Sequence, residues 1–241
     1  MSAPQLPETP APAIQSVERA ARMLGLFTGD EPQLTLAELT RRMQMSKATV
    51  HRYATALRNA GLLRFAGGYY TLGPRVVELA SAALAGLAVM KLAGPYLERL
   101  VVDTNETAVL SVWDGEAPVV VRVDDNTDRL VRIVVATGAR LPLDSAQGQV
   151  FRAFLEPDAA DPALAEVRER RVAANAAGVE GIAALAAPVF QGAEIVATIA
   201  LVGTTASVQT EPDSKMAQAL RDAAENLSTE LGFVEPERKQ S

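Results

Sequence analysis

Residues 35–72 limit what this 241-residue chain can fold into more than any other stretch. Thr35 followed by Glu38 has the spacing of a capping box. Hydroxyl and carboxylate there each satisfy an orphan backbone N–H, so a helix is predicted to start at that point. Leu36, Leu39 and Met43 give it one apolar face. A turn around Gln44 and Met45 leads to Ser46, a good N-cap, and a second helix is predicted to run from Lys47 to about Ala60 and Gly61. At about 100° per residue, Val50, Tyr53, Ala54 and Leu57 fall inward, while Ala48, His51, Arg52 and Thr55 fall outward, flanked by Lys47 and Arg58. The outer strip is small, polar and basic. A helix needs that chemistry to enter a groove roughly 12 Å wide and donate to base edges and phosphates.

The β-prone runs 62–66 and 69–72 follow, separated by Gly67 and Gly68, a residue pair that supplies positive φ for a two-residue hairpin turn. Arg64 would sit where such a hairpin, as a wing, meets a phosphate backbone. The same spacing also fits a small helical bundle with an ordinary ribbon at its side.

Charge separates the chain into two parts. The net charge of −6 argues against a polyanion as partner only while the chain is taken as one body. Residues 1–75 hold nine Lys and Arg against five acids, a net of +4, and the remainder holds 14 against 24, a net of −10. A basic head on an acidic body fits a protein in which one domain meets phosphates. Chance segregation would give a modest head of this kind as well.

Several chemistries are excluded or weakened by composition. There is no cysteine, so disulfides, thiolate catalysis and thiolate-bound metals are out. The single histidine, His51, lies on the predicted second helix, which leaves no histidine for a Ser-His-Asp arrangement elsewhere. No glycine-rich phosphate loop occurs. Asp124, Asp125 and Asp128 could hold a hard cation or form a solvated turn between strands. Residues 1–13 have no basic start and no apolar core, so they read as a flexible tail rather than a signal peptide, as do residues 234–241. No apolar run approaches the roughly 18 residues of a membrane span, and a cytoplasmic protein without metal or cofactor is expected.

In chain order, Ser16 is predicted to cap a first helix with Val17, Ala20, Ala21, Leu24 and Phe27 on one side, closed by Gly29 and Asp30. Arg41 and Arg42 end the next helix, where they could touch phosphate or simply offset the helix dipole. After Gly73 and Pro74, residues 75–90 read as a linker helix. Its stripe of Val76, Leu79, Ala80, Ala83, Leu84 and Leu87 suits either a dimer seam or packing within the chain. A further helix follows Gly94 and Pro95. Strands are predicted at 107–113, 118–123 and 129–135, helices at 144–156 and from Asp161 and Pro162 to before Gly178, strands at 183–190 and 195–202, and a last helix at 212–231. The order describes an antiparallel sheet with helices on its faces, an α+β domain. Trp113, the only tryptophan, could wall a pocket or lie at an interface.

The runs 14–20, 35–39, 48–52, 61–62 and 70–73, together with Arg140-Leu141-Pro142-Leu143 and 186–190, resemble IclR-type transcriptional regulators over residues 14–233. The resemblance implies a winged helix-turn-helix at 14–74, the linker helix at 75–90, and a GAF-like effector-binding domain at 91–233. It implies a homodimer or dimer of dimers on double-stranded operator DNA. The DNA-contacting set would be Arg41, Arg42, Ser46, Lys47, Ala48, Thr49, His51, Arg52, Thr55, Arg58 and Arg64. It also implies a small-molecule pocket lined by Leu141, Leu143, Ser145, Gln147, Gly148, Ala184, Ala200 and Val202.

Departures shape the expected ligand. The segment after Pro142 is one residue shorter than the family pattern, its small-residue-Gly-Lys ending is Gln147-Gly148-Gln149, and Ala184, Ala200 and Val202 stand where Cys or Ser often do. So few donors suit an apolar or aromatic effector better than a dicarboxylate, unless Arg122, Arg132 or Arg140 points inward. The expected function is sequence-specific, effector-responsive transcriptional regulation. An enzyme or a protein-interaction module with an accessory winged helix is the alternative.

Overall fold

The protein is described from a computed structural model covering residues 14–29, 31–125, 133–176 and 178–233. Two units, Met1–Ala82 and Ala83–Ser241, each hold a core of their own.

In the first unit, α1 (Gln15–Leu24) precedes the two-residue strand β1 (Leu34–Thr35), α2 (Leu36–Met43) and α3 (Lys47–Asn59). The hairpin β2 (Leu63–Ala66) and β3 (Tyr69–Leu72) completes it. The capping box forms as expected: Glu38 N–H donates to the Thr35 hydroxyl at 3.2 Å, and Thr35 N–H donates to the Glu38 carboxylate at 2.7 Å. Gln44 ends α2 in the left-handed region, at φ 55°, which turns the chain into Ser46, the N-cap of α3. Gly67 and Gly68 take φ 60° and 87°, as a tight hairpin with positive φ at both central residues requires.

Met23, Leu39, Met43, Val50, Ala54, Leu57, Leu63 and Tyr70 pack together in this unit's core. Two details differ from expectation. Residue Ile14, not Ser16, occupies the N-cap of α1, no side chain caps it, and the helix stops at Leu24, with Val17 exposed and Met23 buried instead. Asp30, expected in its closure, lies outside the described residues. The wing also gains β1 as a third strand, pairing Leu34 with Tyr70.

Helix α4 (Pro74–Gly86) follows the wing and buries no residue. Leu79, Ala80 and Ala83 of its expected stripe are exposed, and Val76 and Leu84 are half-buried.

In the second unit, α5 (Ala88–Thr104) starts seven residues before Pro95 and runs through it, rather than beginning after the Gly-Pro pair. Proline removes one intrahelical hydrogen bond. Burial of Val89 and Ala93 in the preceding turns, continuous with Leu97 and Leu100, outweighs that loss. Strands β4 (Thr107–Trp113) and β5 (Pro118–Asp124), helices α6 (Ala146–Leu155) and α7 (Pro162–Arg170), strands β6 (Ala173–Asn175), β7 (Ile182–Gln191) and β8 (Glu194–Thr204), and helix α8 (Lys215–Glu230) follow.

The five strands form one antiparallel sheet in the order β5-β4-β8-β7-β6. Alternation along the strands serves two layers. Ala108, Leu110, Leu185, Ala187, Ile199 and Leu201 pack with α5 and α8, while Val109, Val120, Ala186 and Ala200 pack with α6 and α7. This is the expected α+β architecture. The strand expected at 129–135 is not formed by residues 133–135, and its first part lies outside the described residues. The segment leads instead into a bridge between Arg140 and Val119. No single described helix is long and apolar enough to cross a membrane.

Candidate functional site

Two regions concentrate chemistry that packing does not need. The first is the outer face of α3. Its inner face is fixed by Val50, Ala54 and Leu57 in the core, so Lys47, Ala48, His51, Arg52 and Ala56 are exposed together. Among the described residues Arg41, Lys47, Arg52, Arg58 and Arg64 make no ion pair, so five cations around one exposed helix keep their donors available.

Not every residue expected on this face is free to act there. The hydroxyl of Thr55, which the helical step alone turns outward, is buried and makes no hydrogen bond among the described residues, while Ala56 is exposed. Arg42 is engaged by Glu31 through two hydrogen bonds of 2.8 and 2.6 Å, which offset its charge. That hydrogen bond raises the Arg42 pKa and holds the Glu31 carboxyl below its ordinary value. Ser46 caps α3 and shares a 2.8 Å hydrogen bond with the Thr49 hydroxyl, so both groups serve the start of the helix.

The second region is a cavity of about 360 Å³ between the sheet and the start of α6. Ser145 caps α6 by accepting from Gly148 N–H at 3.1 Å, and this places Leu141, Pro142, Ser145 and Gln147 along one wall. Ile182, Ala184 and Val202 of β7 and β8 form the opposite wall. Five of the eight expected lining residues, Leu141, Ser145, Gln147, Ala184 and Val202, therefore meet around one space.

Leu143, Gly148 and Ala200 do not line it. Leu143 is exposed at the outer side of the loop. Gly148 is pressed against the Pro142 and Leu143 carbonyls, a contact without room for a side chain. Ala200 is sealed in the core beneath. Val135, Asn175 and Val179, which carried no recognisable signal in the sequence, join the lining.

The arginines raised as possible inward cations are elsewhere. Arg122 holds Asp124 at 2.6 Å and reaches Glu98 on α5, which raises its pKa. It passes close over Gly94, where a Cβ would stand 2.7 Å from its guanidinium. Arg140 ties the loop to the β4–β5 turn through Asp114 and Glu116. Burial alone would raise the Asp114 pKa, but the Ala117 and Glu116 N–H groups, with Arg140, bring it below the ordinary carboxylate value. Arg132 lies outside the described residues. No Lys, Arg or His lines the cavity among the described residues.

The aspartate pair does not build a cation site. Asp124 is taken by Arg122 and Asp125 accepts from the Thr107 hydroxyl, while Asp128 lies outside the described residues. Among the described residues no group of three or more His, Cys, Asp or Glu could hold a metal. Trp113 packs on Phe151 of α6 with ring centroids 5.3 Å apart and does not line the cavity.

Both units have counterparts among known proteins. The IclR helix-turn-helix domain matches residues 16–67, and the C-terminal domain of the bacterial transcriptional regulator IclR matches residues 81–177 and 156–229. The glycerol operon regulatory protein of Streptomyces griseus is 30% identical, over 91% of this chain and 97% of that protein. The crystal structure of an IclR transcriptional regulator from Alicyclobacillus acidocaldarius superposes with a TM-score of 0.75 at 25% identity, over 92% of this chain and all of that one. An IclR homologue from Microbacterium hydrocarbonoxydans, crystallised with 4-hydroxybenzoate, has a TM-score of 0.72 at 23% identity, over 90% of this chain and 99% of that one. These relatives, matched over nearly their whole length, are named as transcriptional regulators. With both of its units matched, the chain belongs to the IclR family of DNA-binding transcriptional regulators.

Proposed function

We propose that α3 enters the major groove of an operator, with Ala48, His51 and Arg52 toward base edges. Lys47, Arg41, Arg58 and Arg64 then neutralise phosphates on either side. The observation that carries this reading is the exposed strip of α3 with its unpaired cations, since a cation already bound to a carboxylate would have to break that pair to gain a phosphate. Helix termini with free N–H groups favour a phosphate too, and the start of α3 faces outward with Lys47 exposed.

The cavity in the C-terminal unit is read as the effector site, for a small, mainly apolar or aromatic molecule. Its size falls within the range of small-ligand sites, and an anion would find no described cation there. The 4-hydroxybenzoate crystallised with the Microbacterium homologue supports an aromatic ligand, although its carboxylate would find no described cation in this cavity. Exposure of Leu79, Ala80 and Ala83 on α4 supports a homodimer, or a dimer of dimers, because a single recognition helix gains specificity by pairing half-sites. An effector regulates such a dimer only by favouring one arrangement over another. An operator of this kind would be met in the cytoplasm, which is the location we propose.

The deciding experiment is a gel shift on DNA upstream of the protein's own gene, with wild type and Arg52→Ala at fixed salt. The variant is expected to lose roughly tenfold or more in affinity, as for one base-reading contact, with an unchanged circular dichroism spectrum. Equal affinities would remove Arg52, and the face it occupies, from the interface.

A further inference from the structure

We propose that Gln147 is the polar anchor of the cavity, and that the ligand is a mainly apolar molecule with a hydroxyl or other hydrogen-bond donor on the end that enters. This deepens the effector-site reading and rests on it. Gln147 is 5% exposed, in the first turn of α6, and lines the cavity. Its amide nitrogen donates to the hydroxyl of Ser111 at 2.8 Å. Ser111 is itself fully buried on β4, so this bond fixes the plane of the amide.

The other half of the amide has no such partner. Among the described residues the Gln147 carbonyl accepts no hydrogen bond, yet it is not sealed in the protein, so it keeps access to open space. The open space beside Gln147 is the cavity. A carbonyl oxygen has two lone pairs to satisfy. Asp144, Ser145 and Asn175 also line the cavity, but Asp144 is exposed, Ser145 bonds the Pro142 carbonyl and Gly148 N–H, and Asn175 donates to the Asp144 carbonyl. Beside Leu141, Ile182, Ala184 and Val202, Gln147 therefore offers the buried acceptor that a ligand must satisfy or desolvate. Leaving such a group unpaired costs enough to change affinity by about ten- to a hundredfold. A site built this way rejects an isostere that lacks the donor more strongly than one that differs by a methylene.

The test compares 4-methylphenol with its methyl ether, which shares the ring but has no hydrogen to donate, by calorimetric titration of the full chain. Wild type is expected to bind the phenol at least about tenfold more tightly. Gln147→Leu is expected to bind both alike, and Ser111→Ala, which releases the amide to turn, to narrow the ratio. Equal binding of the two by wild type, a preference that survives in Gln147→Leu, or no binding of either would overturn the assignment. If Gln147→Leu fails to fold, the wild-type ratio decides alone. A gel shift with the phenol present separates the two readings. Preferred binding that leaves operator affinity unchanged supports the anchor and removes the sensor role from the cavity.

Discussion

The guanidinium of Arg58 lies over the ring of Phe65, 5.8 Å from its centroid. The ring is itself set by a tilted contact with Tyr70 at 4.7 Å. The last turn of α3 is thereby joined to the β2–β3 hairpin by a cation on an aromatic face, and the guanidinium keeps its N–H donors unspent. If this cation meets a phosphate, Arg58→Ala is expected to lower the slope of log affinity against log salt by about one unit. Phe65→Leu keeps the charge and loses its support. That variant is expected to bind a few-fold more weakly at an unchanged slope, as read by fluorescence anisotropy across a salt series. Unchanged affinity in Phe65→Leu would show that Phe65 does not act through Arg58.

The capping box should make α2 sensitive to acid. The Thr35 N–H, and then its hydroxyl, hold the Glu38 carboxyl below its ordinary value. A folded-state pKa below the unfolded one contributes stability that is complete above the ordinary glutamate range and is lost as pH falls through the folded value. Protection of the α2 amides in hydrogen exchange, corrected for intrinsic rates, is therefore expected to decline from about pH 5 downward. Glu38→Gln keeps the geometry without the titration. The same decline in Glu38→Gln would assign it to another group.

Gly148→Ala tests how tightly the cavity wall is set. Alanine normally favours a helix interior, but here a Cβ would stand 2.5 Å from the Leu143 carbonyl oxygen and 2.6 Å from that of Pro142. Both are backbone atoms, so the loop must move. The variant is expected to be less stable by about 1–3 kcal/mol in urea unfolding, as for other overpacked sites. Ligand affinity should fall with it, since Leu141 and Pro142 move too. Increased stability would mean that the loop yields freely.

Ser228→Ala addresses the irregular end of the sheet. The Ser228 hydroxyl accepts the Phe190 N–H at 2.9 Å and donates to the Ala224 carbonyl, at the register shift between Val189 and Phe190. Without it the Phe190 N–H is left buried and unpaired. A loss of about 1–3 kcal/mol is expected from chemical denaturation, the cost of one such group. No measurable loss would indicate that the β7 backbone finds another acceptor.

Much of the first unit was legible because its signals are local. A capping box, an N-cap serine and a Gly-Gly turn act over a few residues, and Val50, Ala54 and Leu57 recur at the helical period, so the elements from α2 to β3 and the buried side of α3 follow from spacing. Asp161 before Pro162 marked α7 in the same way. Helix α5 misled the local reading, since a Gly-Pro pair breaks helices unless burial on both sides compensates. Strands β1 and β6 are two and three residues long and exist only because β3 and β7 are there to pair with.

What the sequence determines alone is the locally signalled elements from α2 to β3, the two-part charge and the residue chemistry that is absent, because each follows from residue types and short-range geometry. Tertiary structure decided which side chains remain free. Glu31 engages Arg42, the Thr55 hydroxyl turns inward, and Gln147 spends its nitrogen on Ser111 while its carbonyl stays open. The last of these joins residues 36 apart, from α6 to β4 of a sheet ordered β5-β4-β8-β7-β6, and only the folded core fixes that order.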